Sequence, residues 1–152
     1  MQILKGENMS EFNFNSQVAT TKEQSERLLA LGLKKETADM YWLRMVKDYR
    51  GNDIPTIRDK WWLSFVGFTV GAGFEQYECI PAWSLHRLLC MLPEEINGGL
   101  LCVFKDSIRY EEVIMDRLEA HFEVVGDNMY ENTISCIEWL IKEGYFPKEY
   151  LL

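Results

Sequence analysis

The chain has 152 residues, of which 47% are apolar and 13% aromatic, so it has enough apolar material for one domain with a sizeable core. Its formal net charge of -8 argues against direct binding to nucleic acid or to an anionic membrane. The longest uncharged run, Trp61 to Phe74, has 14 residues, whereas a membrane-spanning helix needs about 20. Without a signal-peptide pattern or a Cys-x-x-Cys pair, we expect reduced thiols and a cytoplasmic location.

Residues 1–19 are polar with isolated aromatics and are predicted to be a loose N-terminal arm. Within them, residues 5–8 read Lys-Gly-Glu-Asn, which is what a purine-rich ribosome-binding site encodes when it is translated in frame. We therefore expect translation to start at Met9 and residues 1–8 not to be native. Residues 20–152 are predicted to form a single domain.

The first helix is predicted from its capping residues. Either Thr20 with Glu23 or Thr21 with Gln24 fits a capping box, and Gly32 is a suitable C-terminal stop. A helical turn near residue 37 is expected to lead into a strand over 41–46. Residues 48–60 are polar and predict an exposed loop.

Aromatic and β-branched residues over 61–70 predict a buried strand, with a bulge at Gly67. The glycines of 71–73 end this strand, and residues 74–80 are expected to be its pairing partner. Because neighbouring strand residues point to opposite faces, Trp61 and Trp62 should lie on opposite sides of the sheet.

Two tryptophan-bearing apolar segments, residues 80–93 and 132–145, have helical spacing and are expected to be walls of one core. Ser84 caps the first helix, which runs to Leu92, and the acids after Pro93 fit the start of a further helix. A turn at 97–99 then precedes a strand over 100–104. Asp127 and Asn128 cap the final helix.

Residues 108–125 alternate, with seven of the nine even positions apolar. This period of two predicts an antiparallel strand pair with a turn near Asp116 and Arg117 and one wet face. A single helix through Ile108, Met115 and Phe122 is the alternative. Together the segments predict an α+β domain, with an antiparallel sheet of four or five strands and helices packed on one face.

The sequence contains no recognisable catalytic motif. His86 and Cys90 are spaced as two ligands of one metal, but no cluster supplies the remaining ligands, so we assign no metal, cofactor or catalytic residue. If the protein binds a small ligand, we expect Trp42, Trp83, His86 and Cys90 to converge on a pocket of at least about 300 Å³.

Two groups of residues are candidates for binding a macromolecule. The first comprises Trp42, Trp61 and Trp62, since one face of their sheet must be covered by another element, a partner or a second copy. The second is acidic: residues 106–131 contain eight acids against two arginines. An acidic face with Glu111, Glu119 and Glu123 exposed together would mimic the phosphates of DNA and act as a decoy for a nucleic-acid-binding protein.

Two segments support a resemblance. Residues 81–85, Pro-Ala-Trp-Ser-Leu, and the C-terminal segment 136–146, which begins Cys-Ile-Glu-Trp-Leu, resemble small uncharacterised proteins encoded by prophages and integrative elements of anaerobic gut bacteria. That resemblance implies a small accessory product of a mobile element, and it implies no activity or catalytic residue.

The sequence therefore favours a non-catalytic protein-interaction module whose partner is another protein. A homodimer would be a second way to cover an exposed apolar sheet face. The acidic decoy and the small-ligand binder or enzyme are the alternatives.

Overall fold

The architecture of the chain is given by a computed structural model that describes residues 16–48, 50–54, 60–65 and 77–152. These residues form three helices, namely α1 (Lys22–Ala30), α2 (Leu85–Cys90) and α3 (Met129–Glu143). The strands are β1 (Met40–Met45), β2 (Trp62–Phe65), β3 (Tyr77–Ala82), β4 (Glu95–Ile96), β5 (Gly99–Val103), β6 (Ser107–Ile114) and β7 (Arg117–Val125). The α+β class is confirmed. Instead of one sheet, however, the strands form two antiparallel sheets, ordered β2-β1-β3 and β4-β5-β6-β7.

The three-stranded sheet is organised around β1. A short 3-10 turn, Lys35–Thr37, leads into β1 as predicted, and β1 then pairs with β2 on one side and β3 on the other. We expected residues 74–80 to pair with the strand that follows Trp61. Among the described residues this pairing is wrong, because β1 lies between β2 and β3. The predicted strand end at 66–70, its bulge at Gly67 and the glycine turn at 71–73 lie outside the described residues, as does most of the predicted arm.

The four-stranded sheet begins with a tight hairpin. Asn97 and Gly98 have φ angles of 49° and 87°, the two positive values of a type I′ turn, which lets β4 fold back onto β5. The acids after Pro93 therefore start no helix, because Glu95 belongs to β4. A two-residue strand contains no periodicity from which it could have been predicted.

Residues 108–125 form two strands, as predicted, and Met115 and Asp116 make the turn between them. The pairing register shifts at one point: Tyr110 lies opposite Phe122, but Glu111 lies opposite Ala120. His121 is thus the additional residue of a β-bulge. In the part of β7 that precedes His121 the two faces are exchanged, so that its even-numbered residues no longer point to the core.

The helix ends follow the predicted chemistry with small corrections. Thr21 and Gln24 form the capping box of α1, which selects the second of the two predicted registers. Ser84 caps α2, but the segment before it belongs to β3, and the helix ends at Cys90. Asn128 caps α3, and Gly144 at φ 78° ends it, in the left-handed conformation that glycine adopts without strain.

One main core joins the two predicted apolar segments, as expected. Trp83 and Leu88 from the first segment, and Ile134, Ile137 and Leu140 from the second, are fully buried in the same cluster. The inner face of the four-stranded sheet closes this core, since Phe122 stacks on Trp139 of α3 with ring centroids 4.7 Å apart. A smaller cluster contains Ala19, Met40 and Ala82, so the chain is already packed at residue 19.

Gly99 lies so close to neighbouring groups that adding a side chain there should lower the stability of the protein. A Cβ added there would lie 2.6 Å from Cδ2 of His121, so the imidazole must move, and its contact with Glu112 (Nε2 to Oε2, 3.0 Å) would be lost. We expect Gly99→Ala to lower the free energy of unfolding by about 1–3 kcal/mol, the usual cost of overpacking. Urea denaturation of Gly99→Ala, alone and combined with His121→Ala, tests this cause. Removing the ring should rescue only part of the loss, because the added Cβ would also lie 3.2 Å from the Ile96 carbonyl oxygen.

Candidate interaction surface

Trp42 and Trp61 lie on the face of the three-stranded sheet that meets α1. The indole Nε1 of Trp42 donates to the carbonyl oxygen of Thr20 at 2.8 Å. The ring of Trp61 has two cations over it, with Lys22 Nζ at 4.6 Å and Arg44 Cζ at 4.8 Å from its centroid. Such cation-π contacts stabilise by about 0.5–1 kcal/mol at exposed sites. Both tryptophans therefore attach α1 and the chain before it to the sheet.

Trp62 faces the other side, in agreement with the predicted alternation. It lies opposite Leu43 in the pairing register, and its ring meets that of Tyr77 edge-on with centroids 5.8 Å apart. The side chain is 41% exposed. Of the three predicted tryptophans, Trp62 is thus the one that presents a substantial apolar surface.

Two of the three predicted acids share one arginine in the four-stranded sheet. Arg109 Nη1 donates to Glu111 Oε1 at 3.2 Å, and Arg109 Nε lies 2.9 Å from Glu123 Oε1. The second contact is an ion pair without hydrogen-bond geometry, because the buried Nε has no hydrogen-bond partner among the described residues. The hydrogen bond to Glu111 and the charges of both acids raise the pKa of Arg109, so its guanidinium stays charged.

Glu119 is separated from the other two acids by the bulge. Its register partner is Glu112, and Glu112 is bonded to His121 over Gly99, on the inner side of the sheet. Glu111 and Glu123, by contrast, lie with Arg109 on the outer side. The described residues therefore lack the three free carboxylates on one face that the decoy hypothesis requires.

The outer side of the four-stranded sheet is apolar around the charged trio. Leu100 is paired with Glu111, and Val113 with Leu118, which places all of them on that side. Their side chains are strongly exposed, at 57% for Leu100, 68% for Val113 and 69% for Leu118. Val125, at the far end of β7, and Phe104 are also exposed. The guanidinium of Arg109 lies over the ring of Phe104, with Cζ 5.1 Å from the ring centroid.

We call this surface the outer face. It consists of the Arg109 trio and a surrounding apolar group formed by Leu100, Phe104, Val113, Leu118 and Val125. The sequence did not identify the apolar members, because strict alternation assigned Leu118 to the core. The sequence does contain one sign of an apolar outer face. Val113, Ile114 and Met115 are consecutive apolar residues, and one face of a strand cannot bury three consecutive side chains.

The residues proposed for a ligand pocket do not converge. Trp83 is fully buried and its Nε1 donates to Thr37 Oγ1 at 2.9 Å, whereas His86 and Cys90 are exposed on α2. A cleft of about 410 Å³ does exist, lined by Gln17, Leu85, Asp127, Asn128, Met129 and Tyr130, so it contains none of the four predicted side chains. Its most buried polar group, the Tyr130 hydroxyl, already accepts the Leu85 N–H at 3.1 Å.

Comparisons with family models, with curated proteins and with solved structures found no match. The resemblance to mobile-element proteins therefore stays a prediction. Within the described residues, no helix is both long and apolar enough to cross a membrane. The same part of the chain holds no group of three or more metal-binding side chains.

Proposed function

We propose that the protein is a non-catalytic interaction module that binds another protein through the outer face. The observation that carries this proposal is the exposure of Val113 and Leu118, which are paired, together with that of Leu100, which lies diagonally across from Val113 on the same side of the sheet. Contiguous exposed apolar surface of this kind is typical of interaction sites. Because the strands hold these side chains in fixed register, little conformational entropy would be lost on binding.

The charged centre of the outer face suggests the chemistry of the partner. Arg109 neutralises only one of its two carboxylates, and the Glu123 side chain is 44% exposed. A partner surface with an apolar stripe and a basic residue at its centre would complement this arrangement. We further propose, from the resemblance in the sequence, that the module is a cytoplasmic accessory protein of a phage or mobile element.

The first test is identification of the partner followed by direct titration. The tagged chain is purified from its own host after nuclease treatment, and the partner is then purified and titrated against variants. We expect Leu118→Glu and Val113→Glu to weaken binding at least about 30-fold, which corresponds to the roughly 2 kcal/mol of an interface hot spot. Val18→Glu, at an equally exposed valine outside the outer face, is the control and should bind normally.

Other outcomes have distinct meanings. Binding that survives both outer-face variants but is lost in Trp62→Ala would overturn this assignment in favour of the opposite side of the three-stranded sheet. Sedimentation of the pure protein identifies a second copy as the occupant if the protein associates with itself and Leu118→Glu prevents it. Absence of any stoichiometric protein partner, together with a monomeric chain, would contradict the proposal.

A further inference from the structure

The side chains of His86 and Cys90 are hydrogen-bonded to each other, and among the described residues neither has another hydrogen-bond partner. Both side chains are exposed on α2, one helical turn apart, and His86 Nε2 lies 3.5 Å from Cys90 Sγ. An exposed thiol-imidazole contact contributes little to stability, since a thiol is a weak hydrogen-bond donor. The geometry nevertheless brings together two side chains that are ligands of the same soft and borderline metals.

The distance between the two atoms matches a specific coordination geometry. Zinc binds sulfur at about 2.3 Å and imidazole nitrogen at about 2.0–2.1 Å, so two such ligands at a tetrahedral angle are about 3.5 Å apart. The observed separation of 3.5 Å therefore needs no rearrangement of the helix for both atoms to bind one ion. The distance between the Nε2 and Sγ atoms of this hydrogen-bonded pair is therefore that of two ligands in a tetrahedral site.

The other half is not supplied by the described part of the chain, which has no third histidine, cysteine or carboxylate grouped with this pair. A structural zinc site is almost always closed by four protein ligands. Because the pair is exposed on a helix surface, the same pair from a second copy can approach it around a two-fold axis. The net charge of -8 also favours association with a divalent cation and opposes association of two chains without one.

We propose that His86 and Cys90 are half of a zinc site, which a second copy of the chain completes as a Cys₂His₂ centre between two α2 helices. Zinc would then control whether the protein is a monomer or a dimer. This inference does not rest on the outer face. The outer face lies on the four-stranded sheet and the two ligands lie on α2, so the two proposals can fail separately.

The test uses the full chain without a histidine tag, kept reduced with a non-chelating phosphine. Zinc is titrated calorimetrically while sedimentation velocity follows the oligomeric state, and Co²⁺ replaces zinc for absorption spectroscopy. We expect half an equivalent of zinc per chain, conversion of monomer to dimer that a chelator reverses, and the charge-transfer and d–d bands of tetrahedral, thiolate-bound cobalt. His86→Ala and Cys90→Ser should each abolish dimerisation by zinc.

The matched controls are Cys79→Ser, which removes another exposed thiol, and His121→Gln, which removes the other histidine. Both should keep the zinc-dependent dimer, as should Leu118→Glu on the outer face. All the substituted residues are exposed, and circular dichroism confirms that each variant is folded. A monomer that binds one zinc per chain, zinc binding that persists in both His86→Ala and Cys90→Ser, or no zinc binding would each overturn the proposal.

Discussion

Replacing Trp83 by alanine is expected to lower the free energy of unfolding by about 3–5 kcal/mol, the usual cost of truncating a buried aromatic side chain. Trp83 has no exposed surface and lies between β3 and α2, where the chain passes from the three-stranded sheet into the main core. Since small domains are stable by only about 5–15 kcal/mol, this one substitution would remove a large part of the total.

The expected loss has two parts that can be separated. The indole ring fills the core, and its Nε1 donates to Thr37 Oγ1 at 2.9 Å. Thr37 in turn donates to the Lys34 carbonyl oxygen, so the hydrogen bonds join the connection between β3 and α2 to the turn before β1. Trp83→Phe keeps most of the apolar volume but removes the donor, and should cost about 1–2 kcal/mol for the bond, plus a smaller packing term.

Urea denaturation of Trp83→Phe, Thr37→Val and the double variant measures the bond itself as a coupling energy. We expect coupling of about 1 kcal/mol, the usual net contribution of a hydrogen bond. Trp61→Phe is a control for loss of an indole, because Trp61 is only partly buried and should cost less. If Trp83→Ala is as stable as Trp61→Phe, the buried indole of Trp83 does not hold the main core together as proposed.

Local sequence patterns predicted the elements of this fold better than their arrangement. Period-two alternation identified β6 and β7, because each residue's environment there depends mainly on its own strand. The sheet order was not predictable in the same way. Whether residues 74–80 pair with the strand after Trp61 or with β1 depends on contacts between segments that are distant in the sequence, which a local pattern does not contain.

The candidate surface shows a different limit. The predicted alternation is correct in β6 and in the end of β7 from Phe122 to Val125. It fails in the first part of β7, because His121 is an additional residue there. A bulge changes no residue type, so the sequence pattern continues across it unchanged. For this reason Leu118 was assigned to the core and Glu119 to the wet face with Glu111 and Glu123, whereas the structure separates Glu119 from them.

Alkaline pH is expected to destabilise the protein more strongly than its exposed charges would suggest. Burial raises the pKa of the Cys136 thiol from 9.0 to about 12, and burial also raises the pKa of the Tyr110 hydroxyl well above its ordinary value of 10.0. Both groups are fully buried in the main core, and the Tyr110 hydroxyl donates to the Pro93 carbonyl oxygen at 2.7 Å.

The sign of the effect follows from proton binding. Between the unfolded and folded pKa values the native state keeps protons that the unfolded chain releases, so stability falls as pH rises. Below pH 9 the contribution of the protonated Cys136 thiol to the free energy of unfolding is fully present. Above pH 9, each further pH unit should lower the free energy of unfolding by up to about 1.4 kcal/mol through this group. Tyr110 adds a further loss once the pH passes 10.

Urea denaturation from pH 7 to pH 11 tests this expectation in wild type, Cys136→Ala and Cys90→Ala. Cys136→Ala should be less stable at pH 7 because it leaves a small cavity, but its stability should fall more slowly above pH 9. Cys90→Ala removes an exposed thiol and should follow the wild-type slope. If Cys136→Ala and the wild type lose stability in parallel up to pH 11, the thiol of Cys136 is not held protonated by the fold, and α3 does not seal the core against the four-stranded sheet as described.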